Sequence, residues 1–257
     1  MTVHSRPNRL KAILASEETA VGFSCALGNA QIAEEFAMAG FDFIYIDQQH
    51  GLTSHDTLIE MLRAVSRSET TPLVRVAAND TALIGMALDA GAEGVIVPMI
   101  NTAEQARLAA LACRYYPQGV RSWGPIRARY GLGSDPQTVN REVICLVMIE
   151  TSEGLKNLEE ILDTPGVDGV YIGPADLGVS LGGQPLSFDQ TTDTLQLDAI
   201  SSIRQACAER GRIVGLSGDP EQLAADGFNM ITAALDFAMI RKAISEVRRP
   251  AAVAAGK

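Results

Sequence analysis

Apolar and polar positions along this chain alternate on two length scales. Short, almost wholly apolar runs recur at 21–26, 41–46, 72–76, 94–98, 143–149, 167–172, 212–216 and 228–232, most of them rich in Val, Ile or Phe. Runs of this length with no polar face are the pattern of parallel strands covered on both sides. Between them lie stretches with helical spacing of apolar residues, such as 57–65, 82–90, 103–114 and 155–162. Several of the intervening segments close on a glycine suited to a helix stop: Gly40, Gly91, Gly166, Gly211 and Gly227. Asp80 and Thr102 stand where an N-cap belongs, and Glu104 and Glu153 add negative charge to first turns. Eight strands with helical connections predict an α/β fold, a single (β/α)8 barrel over residues 1–257; a doubly wound open sheet is the alternative. No GxGxxG opens a first βαβ unit, so a dinucleotide fold is not favoured.

Residues 1–18 are expected to form an N-terminal arm or helix, with His4 in a mobile stretch, and 237–247 the last helix before Pro250. The tail 251–257 is expected to fray. One long interruption, about 115–142, separates the fourth and fifth strands. It is rich in Gly and Pro and reads as loop; the pattern does not say which face it covers.

Composition narrows the function. Apolar residues make up 47% and charged residues 20%, enough for a sizeable core. A net charge of -10 argues against nucleic-acid binding. Cys25, Cys113, Cys145 and Cys207 form no CxxC and read as reduced, mostly buried thiols. No run approaches the roughly 20 apolar residues of a membrane span, and residues 1–15 lack a signal-like apolar run. The expectation is a soluble cytoplasmic protein with no membrane partner.

In a parallel barrel the polar residues at the carboxyl ends of strands are the first candidates for chemistry. The second strand breaks into Asp47-Gln48-Gln49-His50, where His50 is either a rim acid/base oriented by Asp47 or a cap for the next helix. Arg75 lies inside the third strand, which demands a carboxylate or a bound anion as partner. Glu150 and Asp176 follow the fifth and sixth strands. As neighbours they either converge on an oxygen-rich Mg²⁺ or Mn²⁺ site or merely flank the helices that follow. Gly173-Pro174-Ala175 turns the chain so that the Ala175 and Asp176 amides can meet an anion. Met148 shares a strand face with Glu150. His55 reads as surface, and Trp123 as a lid or a subunit contact. Two carboxylates, a His and an Arg fit enolate chemistry on a small 2-oxo acid. A hydrolase triad lacks its GxSxG, and no Lys ends a strand to form a Schiff base.

The segments FDFIYIDQQHG (41–51), PLVRVAANDTALIGMALDAGAEGVIVPMI (72–100), YYPQGVRSWGP (115–125), VMIETSEGLKNLEEIL (147–162) and GVDGVYIGPADL (166–177) together resemble the HpcH/HpaI family of metal-dependent pyruvate aldolases. The resemblance implies a hexamer, a trimer of dimers with the last helix exchanged between subunits. It also implies reversible cleavage of a 4-hydroxy-2-oxo acid to pyruvate and an aldehyde. By the family pattern Glu150 and Asp176 hold the metal, Mg²⁺ or Mn²⁺ with Co²⁺ as a further option. His50 is the acid/base, Asp47 orients it, and Arg75 steadies the enolate. Gly173, Ala175 and Asp176 receive the pyruvate carboxylate, and Asp89 reaches His50 from a neighbouring subunit. Two departures stand out. Met148 replaces a Gln, and Gln48-Gln49 replaces Gly-Glu. The alternatives are a CoA-thioester lyase of the malyl or citramalyl type, an oxaloacetate decarboxylase, and a non-catalytic small-acid binder. The acceptor aldehyde is left open; Arg121, Arg127 and Arg129 of the long loop are candidates to meet a distal carboxylate on it.

Overall fold

A computed structural model describes residues 6–248; His4 and the tail 251–257 lie outside them. The eight expected strands all form: β1 Ala20–Cys25, β2 Phe43–Asp47, β3 Thr71–Arg75, β4 Gly94–Val97, β5 Ile144–Ile149, β6 Gly169–Ile172, β7 Ile213–Ser217 and β8 Met230–Leu235. Each pairs in parallel with its sequence neighbours, and β8 closes on β1. The barrel expectation is met, and the open sheet is excluded. The helices are α1 Arg9–Ala15, α2 Ala30–Met38, α3 His55–Val65, α4 Thr81–Asp89, α5 Ala103–Cys113, α6 Pro136–Glu142, α7 Ser152–Lys156, α8 Leu158–Leu162, α9 Pro174–Ser180, α10 Thr194–Glu209, α11 Pro220–Ala225 and α12 Asp236–Arg248.

Local chemistry explains the boundaries. The side chains of Asp80 and Thr102 accept first-turn amides of α4 and α5, as expected. All five stop glycines hold positive φ, a conformation that costs a glycine nothing and other residues dearly. The stretch 155–162 departs from expectation, splitting into α7 and α8 at Asn157. That side chain leaves the helix register to donate to the Asn101 carbonyl at 2.7 Å.

Outward strand residues and the inner faces of the helices form one apolar shell, which includes all four buried free thiols. Inward residues fill the barrel itself, among them Phe43, Tyr45, Leu73, Ile96, Leu146, Met148 and Tyr171. Large inward rings need small partners beside them on the next strand. A Cβ on Gly215 would come within 2.6 Å of the Tyr171 ring.

The amino end of the barrel is plugged by α1, so the arm of the sequence reading is in large part a docked helix. Leu10 is wholly buried among the inward residues, with Ile13 and Leu14 packed behind it. Polar contacts fix the plug: the Leu10 amide donates to Thr71 Oγ1 at 3.2 Å, and Lys11 Nζ meets Asp168 at 3.0 Å. Leu10→Ala is expected to lower the unfolding free energy by about 3 kcal/mol, because the rigid barrel floor cannot collapse onto the void; urea titration of the purified protein measures this.

Candidate active site

At the carboxyl mouth, β2 and β3 end side by side with Asp47 paired to Arg75 in register. Their side chains form a two-point ion pair, Arg75 Nε to Asp47 Oδ1 at 2.8 Å and Nη2 to Oδ2 at 2.6 Å. Burial opposes the charge on Arg75, but the bond to Asp47 and the nearby Tyr45 and Tyr171 outweigh it and hold its pKa above the usual arginine value. Asp47 Oδ1 also accepts the amides of Gln49 and His50 at 3.0 and 3.3 Å. Asp47 therefore orients His50 through its backbone. The imidazole itself is exposed and makes no hydrogen bond among the described residues, so the expected Asp-to-imidazole contact is absent in this chain.

Glu150 directly follows β5 and is 1% exposed, while Asp176, in the first turn of α9, is exposed. Burial pushes the Glu150 pKa up and the Asp176 charge adds to this; the Met99 amide and Arg75 act in the opposite sense. The Met99 N–H donates to Glu150 Oε1 at 2.6 Å. To do so Met99 adopts φ 57°, a left-handed conformation unusual for a non-glycine residue and typical of functional rims. The loop that carries it is tied down by Asn101, which bonds to Thr151, Asn157 and Gln105. The other side of Glu150 rests on Gly173, where any Cβ would overlap Oε2 and press on the Met148 methyl. Met148 thus does share the inner face with Glu150, as the strand alternation requires. The Ala175 and Asp176 amides lie in the first turn of α9, where they have no partner within the helix.

Asp47, His50, Arg75, Met148, Glu150, Gly173, Ala175 and Asp176 all belong to the carboxyl-end rim or the turns just beyond it. Asp89 does not. It ends α4 and is bound by Arg121 at 2.6 Å, with Arg121 almost fully buried and Asp89 39% exposed. The long loop covers the amino-end side of its own barrel. Arg127 donates to the Ala90 carbonyl, Arg129 to Pro125, and Gly131 lies against Glu93. The loop arginines therefore do not reach an acceptor in their own barrel, and Trp123, 60% exposed, is no lid over it.

The sequence profile of the HpcH/HpaI aldolase/citrate lyase family matches residues 21–243. The chain belongs to this family. A hydroxypyruvate/pyruvate aldolase of Rhizorhabdus wittichii is 40% identical over 221 residues, 84% of this chain and 87% of that protein. A 4-hydroxy-2-oxo-heptane-1,7-dioate aldolase of Klebsiella pneumoniae is also 40% identical, over 84% of this chain and 82% of its own length. Among solved structures, an HpcH/HpaI aldolase/citrate lyase family protein from Burkholderia cenocepacia superimposes with a TM-score of 0.82 at 30% identity, covering 94% of this chain and 99% of that one.

Sequence reasoning missed Met99 and the hydroxyl cluster beneath the rim, where Tyr171 bonds to Ser217 and Thr232, each at 2.8 Å. Alternation could have placed all three on inner faces; the left-handed Met99 leaves no such signal. Removing one partner of a buried pair strands the other charge. Asp47→Ala is expected to cost about 3 kcal/mol, most of which the double change Asp47→Ala/Arg75→Met restores. A denaturation cycle over the four proteins reads the coupling.

Proposed function

We propose that this chain is a divalent-metal-dependent aldolase that reversibly cleaves 4-hydroxy-2-oxo acids to pyruvate and an aldehyde. The observation that carries the reading is the grouping of Glu150 and Asp176 beside an Arg75 that Asp47 holds rigid, with an unengaged His50 at the same mouth. The aldolase names of both relatives support it.

The residues fit a metal. Glu150 and Asp176 raise each other's energy when both are charged, and Glu150 Oε2 accepts no hydrogen bond from the described residues. Among those residues no third His, Cys, Asp or Glu joins them, which leaves positions for water and substrate oxygens. Hard carboxylate donors suit Mg²⁺ or Mn²⁺, with Co²⁺ a further option. Such a cation supplies positive charge where the 2-oxo group becomes an enolate.

The protein's own groups do the rest. Arg75 is locked by Asp47 on Nε and Nη2, which leaves Nη1 to face the keto oxygen. The first-turn amides of Ala175 and Asp176 receive the carboxylate of the 2-oxo acid. His50, exposed and fixed by its backbone, takes the proton of the 4-hydroxyl as the C3–C4 bond breaks. The C3–C4 electron pair moves into the enolate, the aldehyde departs, and a proton returned to C3 gives pyruvate. Pyruvate release from a 4-hydroxy-2-oxo acid, measured on metal-stripped protein and again after Mg²⁺ or Mn²⁺ is added back, tests the scheme. Turnover should need the metal, fall about 100-fold or more in His50→Ala, and vanish in Glu150→Gln together with metal binding by calorimetry. Metal-independent turnover would sink the reading.

Assembly belongs to the same proposal. Helix α12 is held at its root, where buried Asp236 accepts the Ala26 and Leu27 amides, but every residue from Ala238 to Arg248 is exposed. Ile240, Ile244 and Val247 make one apolar stripe on it, and Ile32, Phe36 and Met239 line an apolar groove beside its root. An exchanged helix from a second copy satisfies both stripe and groove. Asp89, partly exposed at the end of α4 and paired with Arg121, would then serve a neighbouring subunit's site within a hexamer. Ile240→Asp/Ile244→Asp should shift the sedimentation coefficient to that of a smaller species, with helical content by circular dichroism largely kept.

A further inference from the structure

A cavity of about 830 Å³ opens over the carboxyl ends of β7 and β8. Its floor is Thr232, fully buried, and Ser217, both joined to the Tyr171 hydroxyl. Buried Tyr171 stands one inward position below Gly173, the residue against which Glu150 rests, so one side chain packs between the cavity floor and the metal-side rim. On the same inner face of the barrel, Ser24 is 1% exposed, and its Oγ has no hydrogen-bond partner among the described residues. Its strand neighbour on β8, Leu235, lines the cavity.

The charge around the opening is equally informative. Asp189, Asp219 and Glu246 line it against one cation, Lys242. Among the described residues no arginine lines it, and the three loop arginines are engaged at the other end of the barrel. An acceptor with a distal carboxylate would meet like charge here, whereas hydroxyl groups would meet Ser217 and Thr232.

We propose that this cavity is the acceptor half of the site and takes an uncharged, hydroxylated aldehyde in preference to a carboxylated one. This rests on the aldolase reading above. In the condensing direction the C3 proton of pyruvate goes to the base and the enolate pair forms the bond from C3 to the aldehyde carbon. The carbonyl pair moves onto oxygen, which takes a proton from the same group, so no other reactant is needed.

The test uses the metal-loaded protein in two stages. Exchange of the pyruvate methyl protons with deuterium, followed by NMR without any aldehyde, reports enolate formation alone. Condensation is then compared for glyceraldehyde, propanal and succinic semialdehyde. Exchange should occur, and kcat/KM for glyceraldehyde should exceed both others by about tenfold or more. Asp189→Lys should move the ratio of succinic semialdehyde to glyceraldehyde upward by about fivefold, the scale of an exposed charge interaction; a folding or metal defect lowers both rates and leaves the ratio alone. Exchange with succinic semialdehyde equal or preferred, propanal equal to glyceraldehyde, or a ratio untouched by Asp189→Lys overturns the acceptor assignment while the aldolase reading stands. No exchange at all overturns the aldolase reading and this assignment with it.

Discussion

The carboxyl mouth hangs on one carboxylate. Asp47 accepts two guanidinium hydrogens and two backbone amides, and so joins the ends of β2 and β3 to the turn that carries His50. A charge this buried is tolerable only when its lone pairs are used, and here they are. The same bonds leave Arg75 with one free edge and no freedom to swing. A guanidinium held in this way needs little reorganisation when charge develops in front of it, which is the physical content of preorganisation.

The opposite rim follows a different rule. Glu150 is held by one amide and one close contact with a glycine, and no ion pair among the described residues compensates its burial. The strain in Met99 and the carboxylate's raised pKa belong together: both are costs that a packed barrel can carry at one edge while the rest of the sheet stays regular. One rim is thus satisfied by its own ion pair, while on the other Glu150 Oε2 accepts no hydrogen bond from the described residues.

How much of this was legible in the sequence follows from the range of each interaction. Strands and helix stops are written in local periodicity and in glycines that need positive φ, so 21–26 or Gly91 could be read directly. Glu150, Asp176, His50 and Arg75 stood out because a charged residue beside an apolar run has no local explanation. The grouping of Glu150 and Asp176 was also within reach, since neighbouring parallel strands end together. What stayed hidden depends on contacts across the fold. Asp47 could not be assigned to Arg75 rather than to the His50 ring without the register of β2 on β3. Asn157 breaks a helix for the sake of Asn101, more than fifty residues away. The face covered by the long loop depends on Arg121 finding Asp89, a pairing that no spacing rule announces.

The plug at the amino end has a consequence for the order in which this protein can be made. Leu10 is synthesised before the surface that receives it, to which every strand contributes, from Ala20 of β1 to Met230 of β8. Until β8 pairs with β1, that surface does not exist. Docking of α1 is therefore a late event in folding, and while the strands are being made this segment must wait in solvent with its apolar side uncovered, a burden that grows with the sequence separation of the contacts it awaits.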